Sequence, residues 1–253
     1  DLEQLANSIK SNTILISIMF ANNEIGTIEP ISKIAQIAHK HNVLFHTDSV
    51  QAIGNIKIDV QNMGIDSLSM SGHKFYAPKG IGALYVREGI EFEKIQDGGH
   101  QEKDKRAGTE NVAEIVGLGK AIEEIYQKYE VYNEKLQKLR DFYIEGVEKL
   151  IPTAKLNGDR VERLPGNANF SFPNINAQEL LLGLDEKGIC ASAGSACSTG
   201  SSSPSHVLTA IGLPANLTEG TLRVTFGKDN TKEDVEFLLK SLEELILKLG
   251  NKD

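Results

Sequence analysis

Apolar residues run almost without interruption from Ile14 to Phe20 and then stop at Ala21-Asn22-Asn23-Glu24. A short apolar run bounded by polar residues predicts a strand buried on both faces, with a loop at its C-terminal end. Past Pro30 the pattern changes period. Ile31, Ile34, Ala35 and Ala38 recur at i, i+3, i+4 and i+7, one face of a helix, and proline suits a helix start. Val43–Asp48, Ser67–Ser71 and Ile81–Val86 predict three more strands. Strand, helix and strand with short joins predict an α/β fold with a mainly parallel sheet. Ligands of such sheets sit at the carboxyl ends of the strands, and there the chain places Asn23, Asp48 and Ser71 through Lys74.

The second half follows another rhythm. Leu118, Ile122, Ile125, Tyr129, Tyr132, Leu136, Leu139, Tyr143, Val147 and Leu150 are spaced by threes and fours. The spacing predicts one helix of about 48 Å at ~1.5 Å per residue, bridging two domains, with its tyrosines used for packing. Ala168, Phe170 and Phe172 then alternate with Asn167, Asn169 and Ser171, a short helix spans 177–187, and Leu222, Val224 and Phe226 alternate with Thr221, Arg223 and Thr225. A last amphipathic helix begins near Thr231, with Asp234 in its first turn. The domains expected are 1–125, a large α/β domain, and 126–253, a smaller α+β domain.

Composition narrows the function classes. At 253 residues, 40% hydrophobic and 25% charged, the chain is long enough for real cores. No apolar run approaches the ~20 residues that span a bilayer, and Asp1-Leu2-Glu3-Gln4 is not a secretory signal, so neither membrane nor export is expected. A net charge of -8 argues against a nucleic-acid groove, and two cysteines suit the reducing cytoplasm. The six histidines lack zinc-like spacing, so no metal is expected.

Ser71-Gly72-His73-Lys74 is the first candidate for chemistry. A lysine among small polar groups at a strand end can form a Schiff base with an aldehyde cofactor, although an ordinary exposed lysine fits these four residues too. With pyridoxal 5'-phosphate, a carboxylate must keep the ring nitrogen protonated, and Asp48 ends the preceding strand, where an Asx turn is the plainer reading. Gln51 could donate to the phenolic oxygen, Ser71 and His73 could hold the phosphate, and Gly72 permits close backbone approach. Arg106-Ala107-Gly108-Thr109 offers a weaker anion site. The second candidate is Cys197, in a stretch of Gly, Ser and Ala from 193 to 203 that packs little and suits a swinging thiol. Cys190, beside Ile189, reads as a core residue.

Asn22-Asn23-Glu24-Ile25-Gly26, His46-Thr47-Asp48-Ser49-Val50-Gln51, Ser71-Gly72-His73-Lys74, Arg106-Ala107-Gly108-Thr109-Glu110-Asn111, Gly194-Ser195-Ala196-Cys197 and Arg223-Val224-Thr225-Phe226-Gly227 occur in the order found in NifS/IscS-type cysteine desulfurases. The chain resembles that family, of the class V aminotransferases, over essentially its whole length. The resemblance implies an aspartate aminotransferase-like, fold-type I pyridoxal-phosphate enzyme. Such enzymes are homodimers that convert L-cysteine to L-alanine and leave a persulfide for an Fe-S scaffold or a tRNA-thiolation factor. It implies Lys74 as the Schiff-base lysine, His73 beside it as a catalytic residue, and Asn23, Asp48, Gln51, Ser71 and His73 as cofactor ligands. Thr109 would hold the phosphate in the neighbouring subunit, Asn23 and Arg223 the substrate carboxylate, and Cys197 the persulfide. A selenocysteine lyase, an aminotransferase or a non-catalytic interaction fragment are the alternatives. Ser71-x-x-Lys74 also matches a serine acyl-transferase signature, but neither Ser-Asp-Asn nor Lys-Thr-Gly follows.

Three departures qualify the resemblance. His100 stands where the family has a third glycine, Lys103-Asp104-Lys105 replaces an Arg-Gly pair, and Ser201-Ser202-Ser203-Pro204 lacks a Leu-Glu before its proline. The family's N-terminal region, with a Thr-rich phosphate-binding turn and a ring-stacking histidine, has no counterpart before Ile14. The large domain is therefore expected to be incomplete, to expose a sheet edge and apolar faces, and to bind cofactor weakly on its own.

Overall fold

The structure, a computed structural model, describes residues 1–194 and 205–250. The chain divides into two units: 1–20 joined with 29–129, and 21–28 joined with 130–253. The second unit thus takes an eight-residue stretch from within the span of the first, which strand and helix periods do not reveal.

In the first unit, α1 (Leu2–Ser8) precedes β1 (Leu15–Met19), α2 (Ile31–Lys40), β2 (Leu44–Asp48) and β3 (Ser67–Ser71). A 3-10 turn (Gly72–Phe75), β4 (Gly82–Val86), the single turn α3 (Gln101–Asp104) and α4 (Val112–Gln127) follow. The sheet order is β1-β2-β3-β4, with β1–β2 and β2–β3 parallel and β3–β4 antiparallel. Ile31, Ile34, Ala35 and Ala38 form the buried side of α2, as their spacing predicts.

The first strand departs from expectation. Ile16 is buried, but Ile14 is 81% exposed and Leu15 and Met19 are exposed too. β1 lies at the sheet edge, and one face of the sheet is uncovered there, so a continuous apolar sequence does not become a strand buried on both faces. Lys74 is carried by the 3-10 turn and not by a strand. In α3, Glu102 and Lys103 have positive φ, the left-handed region that costs a residue with a side chain.

Asp66 organises the base of this unit. Its side chain, 2% exposed, accepts the Phe45 amide (2.8 Å), His39 Nε2 (2.9 Å), and Arg87 Nε (2.8 Å) and Nη2 (2.7 Å). These contacts tie α2, β2 and the residue after β4 to one carboxylate. Burial alone would raise its pKa, but the Phe45 amide, His39 and Arg87 together outweigh it and hold it below the usual carboxylate range. A depressed folded-state pKa means that the stabilisation is complete above the unfolded value, about pH 4, and disappears as pH falls through the folded one. Asp66→Asn is expected to cost about 2–3 kcal/mol at pH 7 and to flatten the acid limb of the stability curve. Urea midpoints from pH 7 to pH 2.5 test this; equal acid sensitivity in both proteins would assign the effect to other groups.

The second unit holds α5 (Tyr129–Leu150), β5 (Lys155–Leu156), β6 (Asn167–Ser171), α6 (Ala177–Asp185), α7 (His206–Ala210), α8 (Ala215–Thr218), β7 (Thr221–Thr225) and α9 (Lys232–Gly250). Its sheet is antiparallel, in the order β5-β6-β7. Tyr143, Phe170, Phe172, Leu180, Leu184, Leu222 and Leu242 fill its core, with Tyr143 edge-on to Phe170 at 6.0 Å. A Cβ at Gly183 would lie 2.5 Å from Leu245, so only glycine lets α6 approach α9 this closely. Thr231 and Asp234 cap α9 reciprocally, each side chain accepting the other's amide.

The single 48 Å helix is not formed. The helix stops at Lys128 (φ -109°, ψ 9°), and α4 and α5 are separate. Leu118 and Ile125 are buried in the first unit, Leu136, Leu139, Tyr143 and Val147 in the second. The apolar spacing continues across the break because one non-helical residue barely disturbs a three-four pattern. The short helix predicted over 177–187 ends at Asp185, where Gly188 turns the chain. Cys190 is exposed, not core. Ile189 and Ala191 pack inward, so in an extended segment the residue between them faces out. Among the described residues no helix is long and apolar enough to cross a membrane.

Candidate active site

Side chains of residues paired across neighbouring strands share a face of the sheet, and along a strand they alternate. Asp48 pairs with Ser69, and His46 pairs with Ser17 and with Ser67. One face of the first unit's sheet therefore carries Ser17, His46, Asp48, Ser69 and Ser71, while Phe45, Thr47 and Leu68 take the other. Two parallel strands, β2 and β3, end side by side at Asp48 and near Ser71. The structure thus brings Asp48, Ser71 and the turn bearing His73 and Lys74 to one end of one face.

Each of these residues is held by its own local chemistry. Asp48 Oδ1 accepts the Val50 amide at 2.9 Å, so an Asx turn is present, and the exposed carboxylate keeps its second oxygen for another donor. The Ser49 amide donates to the Ser69 carbonyl (2.9 Å), which fixes the start of the turn that carries Gln51. Ser71 Oγ and His73 Nδ1 share a 2.9 Å hydrogen bond, which pairs the two residues read as phosphate ligands. Phe75, buried, anchors the 3-10 turn, while His73 and Lys74 on it are exposed. A Cβ on Gly72 would meet Ala77 and Ile81 at 3.0 Å. The close approach that glycine permits there is to this chain itself, since its amide also donates to the Ile81 carbonyl.

Thr109 is exposed in the loop before α4, in the same unit. Arg106 Nη1 donates to the Gly108 carbonyl (3.1 Å) and the Gly108 amide to Gln101 Oε1 (3.1 Å), so part of the predicted anion-binding stretch is occupied by its own contacts.

The second unit contains the other pair. β7 places Arg223 on the side opposite Leu222 and Val224, and Arg223 Nη1 donates to the main-chain oxygen of Asn23 at 2.9 Å. Asn23 belongs to the 21–28 stretch, in which Asn22 Oδ1 accepts the amides of Glu24 (2.8 Å) and Ile25 (3.0 Å) and shapes a tight turn. Asn169 Nδ2 donates to the Glu24 carbonyl (3.1 Å), and Asn157 Nδ2 donates to Asn169 Oδ1 and Ser171 Oγ at 2.8 Å each. The polar alternation of β6 is thus a buried network under that stretch. Cys197 lies outside the described residues.

Sequence reasoning missed two features. Ser17 Oγ, His46 Nδ1, His46 Nε2 and Ser69 Oγ form a row across three strands, with contacts of 2.7 and 2.8 Å. The alternation that put Asp48 on this face also placed His46 on it, two residues earlier, and was a usable signal. Glu24, buried at 3% exposure, had none beyond its position in a turn.

The model of the aminotransferase class-V family matches residues 1–238. The chain is 53% identical over 247 residues to a protein named cysteine desulfurase IscS of Clostridium botulinum (strain Hall), an alignment covering 97% of this chain and 62% of that relative. A solved NifS-like protein superposes with a TM-score of 0.89 at 35% identity, covering 98% of this chain and 65% of the other. A structure described as SspA in complex with cysteine has a TM-score of 0.74 at 38% identity, covering 91% and 64%. The chain therefore spans about 62% of the length of the curated relatives it matches.

Proposed function

The chain belongs to the aminotransferase class-V family, and we propose that it is the greater part of a pyridoxal 5'-phosphate-dependent cysteine desulfurase, taking sulfur from L-cysteine and releasing L-alanine. The observation that carries this reading is the convergence of Asp48, Ser71, His73 and Lys74 at the carboxyl ends of two adjacent parallel strands. Their chemistry fits the cofactor. A carboxylate suits a ring N–H, a paired hydroxyl and imidazole suit a phosphate, and an exposed primary amine suits an aldehyde. Gln51 would meet the phenolic oxygen, and in a homodimer Thr109 would meet the partner's phosphate. The likeness to a protein solved with cysteine supports the substrate.

Pyridoxal phosphate, when bound, supplies an electron sink for the substrate's α-carbon. Asp48 would keep the ring nitrogen of that group protonated, and Ser71 and His73 would hold its phosphate. Asn23 and Arg223 bind the substrate carboxylate, which orients the α-hydrogen. Lys74 Nζ takes that proton as general base and later returns one. Cys197, as thiolate, attacks the substrate sulfur. An S–S bond forms as the C–S bond breaks, the bonding pair stays with carbon, and protonation of that carbon gives alanine. Cys197 is left as a persulfide that passes its outer sulfur to an acceptor protein of the cytoplasm, an Fe-S scaffold or a thiolation factor.

The decisive assay supplies L-cysteine and pyridoxal phosphate and measures alanine and sulfide. Cys197→Ala is expected to cut alanine release by roughly 10²–10³-fold while substrate binding persists, because only the sulfur-accepting nucleophile is removed. Keto-acid formation independent of Cys197 would instead identify an aminotransferase.

A further inference from the structure

His46 is bonded at both ring nitrogens. Ser17 Oγ and His46 Nδ1 lie 2.7 Å apart, and His46 Nε2 and Ser69 Oγ 2.8 Å. A neutral imidazole donates through one nitrogen and accepts at the other, and a hydroxyl can do either, so both contacts are satisfied in either tautomer. The ring is thus laid across β1, β2 and β3 on the face that carries Asp48.

Its direction along the strands is informative. His46 pairs in register with Ser67, but its Nε2 reaches Ser69, two residues nearer the end of β3. Ser69 is the register partner of Asp48, and its carbonyl accepts the Ser49 amide at 2.9 Å. The imidazole therefore leans toward the end where Asp48, Ser71 and the turn of Lys74 stand.

The seam it crosses is the shortest in the sheet. β1 and β2 pair from Leu15–Leu44 to Met19–Asp48, and β3 and β4 from Ser67–Val86 to Ser71–Gly82. β2 and β3 pair only from His46–Ser67 to Asp48–Ser69, and Ser71 with the turn after it lies beyond that pairing. Where main-chain rungs are few, cross-strand side-chain contacts carry more of the alignment.

We infer that His46 is a positioning residue: through Ser69 it holds the end of β3 against the end of β2, and so sets where Asp48 stands relative to Ser71 and Lys74. Ser17 supports it from β1 by fixing the other ring nitrogen. A displacement of about 1 Å in a site group can cost on the order of 10²-fold in rate, so such a bridge matters. What Asp48 is placed to meet, a ring nitrogen, rests on the proposed function; the bridge itself does not.

Two measurements test it. In the chain without cofactor, His46→Phe, which keeps an aromatic ring but neither bond, is expected to speed hydrogen exchange of the Ser49 amide about tenfold or more, and Ser69→Ala to do the same. Ser69→Thr keeps the hydroxyl and is expected to stay within about threefold of wild type. Since the two altered residues share one contact, the double variant is expected to lie within about twofold of either single one. Unchanged Ser49 exchange in His46→Phe overturns the bridge; if that variant unfolds the unit, Ser69→Ala decides by the same criterion.

The second measurement compares the Kd of pyridoxal phosphate with that of its deaza analogue, in which a ring C–H replaces the nitrogen. Misplacing Asp48 weakens only the ligand that has the nitrogen, so His46→Phe is expected to lower the preference for pyridoxal phosphate by about tenfold. Equal weakening of both ligands, with the ratio unchanged, overturns the positioning role. A wild-type chain that binds neither, or prefers neither, counts against the role assigned to Asp48 alone, and Ser49 exchange then decides the bridge.

Discussion

Lys74→Ala is expected to lower alanine release from L-cysteine by roughly 10⁴-fold, and to remove the dominant covalent label left when the chain is treated with pyridoxal phosphate and then borohydride. Lys74 is exposed on a 3-10 turn whose fold depends on buried Phe75 and on Gly72 packing against Ala77 and Ile81. Removing the amine takes away none of those contacts. Stability should therefore change by less than about 0.5 kcal/mol, the range for exposed positions, so that lost chemistry is not confused with lost folding. Lys74→Arg keeps the charge but not a nucleophilic amine, and no rescue is expected. Peptide mapping of the borohydride-trapped chain gives the answer directly. Labelling spread evenly over surface lysines and unaltered by Lys74→Ala would remove Lys74 from its assigned role.

Arg163→Met carries the largest expected loss of stability, about 3–5 kcal/mol for the second unit. Arg163 is 2% exposed and donates to main-chain carbonyls alone: Nη1 to Ile25 (2.8 Å), Nε to Asp159 (2.8 Å), and Nη2 to Asn157. Burial first, and then the neighbouring Arg140 guanidinium, pull its pKa down to about 10, which leaves it charged at neutral pH. Methionine fills similar space yet leaves those carbonyls without donors. Ile25 lies in the 21–28 stretch, so the loss should appear as early release of that stretch, along with Asn23 and Glu24. Lys should recover less than half of the loss, since one ammonium cannot serve carbonyls spread across a planar guanidinium. Denaturant titration with exchange mapping of 21–28 checks both points; a cost under about 1 kcal/mol, or no change at 21–28, would falsify the assignment.

Much of the site was legible because its determinants are local. The polar end of the Val43–Asp48 run placed Asp48 at a strand terminus, the apolar runs set β2 and β3, and the small residues after β3 marked the turn of Lys74; which face Asp48 takes came from the strand pairing. Alternation located Arg223 on the face opposite Leu222 and Val224. The motif order supplied the family, which no single period could do.

The residues alone therefore determined β1 to β4, β6, β7, α2, α6 and α9, and which polar groups stand at strand ends, because backbone period is fixed within a few residues; α1, β5, α7 and α8 and the break between α4 and α5 left no such period. What the tertiary structure decided depends on neighbours far along the chain. Ile14, Leu15 and Met19 are exposed because β1 is an edge, and Cys190 because Ile189 and Ala191 take the inward places. The apolar stripe from Leu118 to Val147 divides between two cores at Lys128, where its spacing shows no interruption. Ala21–Ile28 joins the second unit because Arg163 and Asn169 reach its carbonyls across more than a hundred residues. A main-chain carbonyl looks the same in every sequence, so only the folded chain could show which of them a buried guanidinium would find.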